Sequence, residues 1–476
     1  MRNVRLEIGT YMLTYNFTDI GSDSIYEFLY KCIKNDILSG KIKPGEKLPS
    51  KRTFAKNLNV SVITIEGAYE MLMAEGYIYS VPKKGFYVEN VKYEPKKKEA
   101  VSHKRIVLSK NADDYIADFT SNQTDINIFP FSVWTRSMRD VMAKKQSELM
   151  VNPPCGGIME LRENIAKYLF DFRGMSVRPE QIIIGAGTEY LYGLIIQILG
   201  RRLKYGVENP GYHKAARIYE QWDVKYDYIN MDREGVVIGQ LVDKEIDVIH
   251  TSPSHHFPTG TVMPIGRRYE LLGWASNEEH RYIIEDDYDS ELRLSGKPIP
   301  TLQSIDVSDK VIYINTFTKT LCSTVRISYM VLPEALAEKF YEELSFYSGT
   351  VSNFEQYTLA CFMGNGSFEK HINRLRKFYQ EKRDLLLNTI ANHPLKKYVT
   401  IQEEEAGVHF LMRLNTVKPE ADVIRDAKEK GIKLNPLSNY YFGDSAEPEN
   451  VYIINYSSLA EENIGEIVER LYEVVR

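Results

Sequence analysis

The sequence predicts a multi-domain chain: a small N-terminal α+β module, a basic tether, and a large α/β domain ending in a small α+β subdomain. Three observations carry this. At 476 residues the chain is too long for one hydrophobic core. Two helical periods joined by a short turn, then a hairpin pattern, occupy residues 46–88. From about Asp118 onward, helical periods alternate with short apolar runs, as in layered α/β folds.

Within the first module, Ile25, Phe28, Leu29, Cys32, Ile33 and Ile37 recur at helical spacing over residues 24–39, and Gly40 breaks the pattern. Lys43-Pro44-Gly45 is a turn. Ser50 is a good N-cap for a helix carrying Phe54, Ala55 and Leu58. Asn59-Val60 turns the chain, and Ser61 caps a second helix carrying Ile65, Ala68, Tyr69, Leu72 and Met73. Tyr77–Val81 and Phe86–Asn90 read as strands around the turn Pro82-Lys83-Lys84-Gly85.

Together these elements read as a winged helix-turn-helix, a module that places its second helix in the major groove of double-stranded DNA. Ser61, Val62 and Thr64, early in that helix, are expected at base edges. Lys51 and Arg52 are expected near phosphates, with Ser50 beside them in the DNA-binding set, and the wing tip Lys83-Lys84-Gly85 is expected at the backbone or in a minor groove. The stretches Lys47-Leu48-Pro49-Ser50-Lys51-Arg52-Thr53-Phe54-Ala55, Leu58-Asn59-Val60-Ser61, Glu75-Gly76-Tyr77-Ile78 and Lys84-Gly85-Phe86-Tyr87-Val88 resemble the GntR family of regulators. That family usually has Arg after the helix-capping Ser. Here Val62 stands instead, suited to a thymine methyl.

Residues 91–117 carry the charge run Glu94-Pro95-Lys96-Lys97-Lys98-Glu99, then His103-Lys104-Arg105 and Lys110. Little periodic apolar content is available to pack, so a flexible linker is expected. The reading therefore divides the chain into 1–90, 91–117 and 118–476, with a smaller subdomain from about residue 380. In the large part, Ile182–Ile184, Ile246–His250, Tyr282–Glu285, Val311–Ile314, Val408–Met412 and Val451–Tyr456 read as strands. Glu160–Phe170 and Tyr190–Leu199 read as helices.

Composition narrows the function class. A hydrophobic share of 43% with 26% charged residues suits an ordinary soluble protein. A net charge of −5 argues against a chain that coats nucleic acid throughout, while leaving room for one basic module. The four cysteines, Cys32, Cys155, Cys322 and Cys361, lack metal-site spacing and read as reduced thiols. No signal peptide is apparent, and no apolar stretch approaches the ~20 residues of a membrane span. A cytoplasmic protein with no metal site and no membrane partner is expected.

The large part also carries residues suited to pyridoxal phosphate. That cofactor needs a lysine amine for a Schiff base, a carboxylate for its ring nitrogen, and a donor for its ring hydroxyl. It needs an aromatic cover, and a helix N-terminus with a cation for its phosphate. Lys319 lies among Thr316, Thr318 and Thr320, after an apolar run. Asp286 ends a strand, and Tyr288 follows two residues on. Gly185-Ala186-Gly187-Thr188-Glu189 opens a helix, Arg326 suits the phosphate, and Tyr212 suits the ring face.

This constellation resembles fold type I aminotransferases over roughly residues 118–476. The whole chain resembles the MocR branch of GntR regulators. That resemblance rests on Ser252-Pro253-Ser254-His255-His256-Phe257-Pro258-Thr259-Gly260, Met263-Pro264-Ile265-Gly266-Arg267-Arg268, Glu285-Asp286-Asp287-Tyr288-Asp289-Ser290-Glu291 and Pro298-Ile299-Pro300. It implies pyridoxal phosphate at Lys319, Asp286 and Tyr288, and a head-to-tail homodimer.

Two departures bear on function. Phe257 occupies the place of an aminotransferase Asn that helps hold the ring hydroxyl, and His255 or His256 is the expected substitute. The strand Tyr452-Ile453-Ile454-Asn455-Tyr456 lacks the Arg that clamps a substrate carboxylate, and Lys214 stands where some relatives have a second Arg. The expected function is a pyridoxal phosphate-dependent regulator rather than an enzyme. Its effector is an amino compound, a peptide or the cofactor itself, with Lys214, His255 and His256 as candidate effector contacts; an Arg from elsewhere in the chain or from a partner subunit is the alternative carboxylate clamp. Residual half-transamination is compatible with this, and an aminotransferase acting on an amino acid is the alternative.

Overall fold

The computed structural model describes residues 13–17, 23–90, 115–121, 124–294, 299–403, 407–443 and 448–476. The chain divides into two compact units, Met1–Lys110 and Asn111–Arg476.

In the small unit, α1 (Ile25–Leu38), α2 (Lys51–Leu58) and α3 (Val62–Ala74) precede the antiparallel hairpin β1 (Ile78–Val81) and β2 (Gly85–Val88). Leu29, Ile33, Phe54, Ile65, Tyr69, Leu72, Ile78 and Val88 converge in one buried core. Each helix start is chemically marked. Ser24 and Glu27 form a capping box on α1, while Ser50 and Ser61 accept from the N–H groups of Thr53 and Thr64 at 3.2 and 3.1 Å. The turn between α2 and α3 depends on Asn59, whose φ of 54° is left-handed, a conformation Asn tolerates better than most residues. Gly85, expected in the turn, instead begins β2 and pairs with Val81.

The large unit opens on β3 (Ala117–Asp118). Its main sheet holds β4 (Ile182–Gly185), β5 (Tyr205–Asn209), β6 (Tyr226–Asp232), β7 (Gly235–Val236), β8 (Val248–Thr251), β9 (Tyr282–Asp286), β10 (Val311–Thr316) and β11 (Ser328–Val331). Their spatial order is β4-β11-β10-β9-β8-β5-β6-β7. Strands β10, β9, β8, β5 and β6 run parallel, and β11 is antiparallel to both its neighbours. Edge strand β4 and central strand β10 are both buried along their whole length. This explains why Ile182-Ile183-Ile184 and Val311–Ile314 read as unbroken apolar runs.

After the sheet come three antiparallel strands, β12 (Val399–Gln402), β13 (His409–Leu414) and a last strand, with β14 (Ile432–Lys433) between them and β15 (Val451–Asn455) as the last. Two expected boundaries shift. The change of style near residue 380 falls inside the 25-residue helix Ser367–Ala391, because Phe368, Ile372, Leu375, Tyr379, Leu386 and Ile390 maintain one buried stripe across it. The linker gives way to structure before residue 118: Ile116 donates to the Gly431 carbonyl at 2.9 Å, and β3 pairs in parallel with β14. The chain's return strand thus fastens the start of the large unit. Linker residues 91–114 lie outside the described residues.

Candidate active site and DNA-reading surface

A cavity of about 250 Å³ opens in the large unit where its parallel strands end. Gly187, Thr188, Glu189, Tyr212, Lys214, Asp286, Tyr288, Thr316, Thr318, Lys319 and Arg326 all line it. Residues scattered over 140 positions of sequence therefore meet at one place, carried by β9, β10 and the helix Thr188–Leu199.

At one end, the helix Thr188–Leu199 begins at Gly187, whose φ of 94° is closed to most side chains. A Cβ there would also strike the Arg326 guanidinium and the Glu189 carboxylate. Backbone N–H groups, the Thr188 hydroxyl and Arg326 therefore converge on a space that only glycine leaves open, an arrangement suited to an anion. Arg326 donates to Glu189 at 2.7 Å, and Lys214 is ion-paired to the same carboxylate. Burial would raise the Glu189 carboxyl. Hydrogen bonds from Lys214, its own backbone and Arg326 outweigh that and hold it at about 2. Lys214 is thus placed beside Arg326, at the anion end.

In the middle stands Asp286, the last residue of β9. Strand alternation separates the neighbouring acids. Asp287 turns away from the cavity to the buried Arg173 at 2.8 Å and the Tyr313 hydroxyl at 2.7 Å, whereas Asp286 faces the cavity. Its Oδ2 accepts from the Tyr192 hydroxyl at 2.6 Å and lies 3.5 Å from His250 Nε2. Its Oδ1 is buried without a hydrogen-bond partner. An orphaned carboxylate oxygen is costly unless something else binds it.

Lys319 is buried across the cavity. Burial pushes its amine down to about 8, with the Asp289 carboxylate acting in the opposite direction. The hydroxyls of Ser328, Thr316 and Thr318 form a chain with 2.8 Å links beside it. Tyr288 is 3.3 Å from His255 Nδ1, which also lies 2.8 Å from Asp289 Oδ2. Tyr212 stands over the cavity with its ring edge-on to Phe257, the centroids 6.1 Å apart.

His255 and His256 do not line the cavity. His255 braces Tyr288 and Asp289 from behind. His256 is engaged by Thr259 at 2.7 Å and Glu208 at 3.3 Å. Each ring's Nδ1 is taken up by a structural partner, Asp289 or Thr259, while His255 Nε2 is buried without a hydrogen-bond partner. The far wall instead presents Phe119, Thr120, His409, Asn435, Tyr440, Ile453 and Asn455. Burial and the neighbouring His255 and Lys319 hold His409 well below the usual histidine range, so it is neutral. Arg326 is the one arginine among the described lining residues. Sequence reading passed over Tyr192, Asp289 and His409. Tyr192 had a local signal, lying one helical turn after Thr188. On the far wall, Ile453 and Asn455 lie on the strand that the sequence marked by its missing Arg, whereas Phe119, Thr120, Asn435 and Tyr440 come from distant segments that carry no such mark.

These residues fit pyridoxal phosphate. The orphaned Asp286 oxygen suits a protonated ring nitrogen, the Gly187 space with Arg326 suits a phosphate, and a buried amine faces both.

In the small unit, Val62, Arg52, Lys83, Lys84 and the wing tip are exposed. Three expected DNA contacts are otherwise engaged. The Ser50 and Ser61 hydroxyls cap their helices. Lys51 is held by Glu66 at 2.5 Å, with its ammonium over the Phe86 ring. Ile63, not singled out from sequence, is the more exposed of the two apolar residues opening α3, at 78% against 42% for Val62.

Comparison with known proteins places both units. Residues 25–88 match the family described as bacterial regulatory proteins, gntR family, and residues 116–471 match aminotransferase class I and II. An uncharacterized HTH-type transcriptional regulator, YdeL, of Bacillus subtilis (strain 168) is 37% identical over 94% of this chain and 96% of its own length. The probable rhizopine catabolism regulatory protein MocR of Rhizobium meliloti is 29% identical over 93% and 92%. Among crystal structures, a Pyrococcus horikoshii kynurenine aminotransferase superposes with a TM-score of 0.66 at 26% identity, covering 76% of this chain and 91% of that one. With a gntR-type winged helix and a class I and II aminotransferase fold in one polypeptide, this chain belongs to the MocR branch of the GntR family of transcriptional regulators.

Proposed function

We propose that the protein is a pyridoxal phosphate-dependent regulator that senses an amine, a peptide or the cofactor itself and changes its hold on an operator. One observation carries this reading. The cavity keeps the parts that would hold the cofactor, yet its far wall offers an incoming carboxylate only neutral groups, chiefly Asn435, Asn455, Tyr440 and neutral His409. Such a site suits recognition better than turnover of an amino acid.

The residues divide the work. Asp286 would bind the ring nitrogen through Oδ1, because Tyr192 and His250 already occupy Oδ2. Tyr288, steadied by His255, would donate to the ring hydroxyl, and Tyr212 would cover the ring. Gly187, Thr188 and Arg326 would hold the phosphate, with Glu189 and Lys214 fixing the guanidinium. When bound, the cofactor supplies an aldehyde able to condense with an amine, either that of Lys319 or that of an effector. The effector must favour one of two states of the protein, since equal affinity for both would change nothing at the DNA. A head-to-tail homodimer acting on DNA in the cytoplasm completes the proposal.

The test is DNA binding by the full-length protein to the region upstream of its own gene. Binding is measured with and without pyridoxal phosphate, across a panel of amines, amino acids and dipeptides. A change in affinity with cofactor or effector, lost in Lys319→Ala, is the expected result. Retention of Lys319 and Asp286 favours a second reading, an aminotransferase acting on an amino acid. Sustained multiple turnover of an amino donor by a protein without DNA affinity would establish that reading and reject the first.

A further inference from the structure

We infer that this protein reads its operator through thymine methyl groups rather than through hydrogen bonds to guanine or adenine. The inference rests on DNA binding by the small unit and concerns which bases that unit recognises.

The reading helix lacks the side chains that usually identify a base. A side chain that identifies guanine is normally Arg or Lys, and one that identifies adenine is Asn or Gln, because each makes two hydrogen bonds to one base edge. From Ser61 to Glu75 the chain is Ser-Val-Ile-Thr-Ile-Glu-Gly-Ala-Tyr-Glu-Met-Leu-Met-Ala-Glu, with none of those four residues. The helix therefore has no bidentate donor at any position.

The structure then shows what it offers instead. Ile65, Ala68, Tyr69 and Leu72 are committed to the core. The outward side of the first turn consists of Val62 and Ile63, 42% and 78% exposed. The polar groups beside them are already used: Ser61 caps the helix, its hydroxyl is 2.7 Å from that of Thr64, and Glu66 holds Lys51. Farther along, Glu70 is exposed, but a carboxylate only accepts and suits the cytosine amino group. Two branched apolar side chains at the groove-entering end of a reading helix have one apolar partner on the base edges, the C5-methyl of thymine. Cations available for phosphates stand away from this turn, at Arg52 and at Lys83 and Lys84 on the wing. Placed on other elements than the reading helix, they would supply affinity without sequence information where they meet phosphates.

The experiment isolates the methyl group. Full-length protein selects its preferred sites from a random duplex library, and each thymine of the best site is replaced in turn by deoxyuridine. That substitution removes the methyl and leaves base pairing intact. Covering one methyl is worth about 0.8 kcal/mol, so each contacted position should weaken binding about 4-fold. Ile63→Ala should erase the penalty at one position per half-site and leave the others. Val62→Arg should shift selection toward guanine. Tight, selective binding that is indifferent to every uracil replacement would overturn the inference and leave DNA recognition by this unit standing. Absence of binding to any duplex would overturn both.

Discussion

Removing the charge at Lys319 should make the cofactor-free protein more stable, and the gain should vanish in alkali. Burial displaces this amine from its ordinary 10.5 to about 8. At about 1.36 kcal/mol per pH unit, that displacement corresponds to ~3 kcal/mol. The sign follows from proton counting. The folded lysine binds fewer protons than the unfolded one between about pH 8 and 10.5, so stability rises with pH in that window. Below pH 8 the penalty is at its full size, and above 10.5 it is gone. Lys319→Met, which keeps the bulk and removes the ammonium, should therefore stabilise the large unit by up to ~3 kcal/mol at pH 7. At pH 10.5 it should add little. Urea unfolding of cofactor-free wild type and variant at several pH values measures this. Equal stability at pH 7, or an advantage that persists unchanged into alkali, would refute the reasoning. The same displacement leaves roughly a tenth of the amine neutral at pH 7, against about 0.03% for an ordinary lysine. A destabilising burial thus produces the nucleophile that the proposed chemistry needs.

Other consequences concern the anion end and the reading helix. Gly187→Ala places a methyl against Arg326 in a left-handed backbone, so pyridoxal phosphate affinity, followed by absorbance titration, should fall at least 10-fold while the fold persists. Glu189→Gln frees Lys214 and Arg326 from their shared carboxylate, and inorganic phosphate should then bind about 5-fold tighter by calorimetry, from the ~1 kcal/mol of a partly exposed pair. Ser61→Ala removes the α3 cap and should lower the small unit's stability by about 1 kcal/mol, read as a shift in its denaturation midpoint. Lys51→Met should alter stability by less than ~1 kcal/mol and hardly change the salt dependence of DNA binding, since Glu66 already neutralises this lysine.

Local chemistry made much of the molecule legible in advance. Ser50 and Ser61 announced their helices because a hydroxyl before an apolar period satisfies free N–H groups. Buried parallel strands announced themselves as apolar runs, and Gly187, Asp286 and Lys319 stood in local settings that suit phosphate, pyridinium and amine chemistry. Legibility failed where an element's fate depended on distant partners. The long helix across residue 380 looked like a boundary because its neighbours change there, while its own stripe does not. His255 and His256 looked available because nothing near them in sequence reveals Asp289 or Glu208 as their partners.

By itself, then, the sequence determined the two modules and part of their helices and strands, because caps, periodicity and turn residues act over a few positions. Tertiary structure alone decided that Asp286 rather than Asp287 faces the cavity, that Lys214 sits with Arg326 on Glu189, and that the far wall is neutral. It also decided that Lys51 is spent on Glu66 while Ile63 stands open. Each of these depends on which side chains meet after the chain has packed, and burial and charge pairing come into being only at that point.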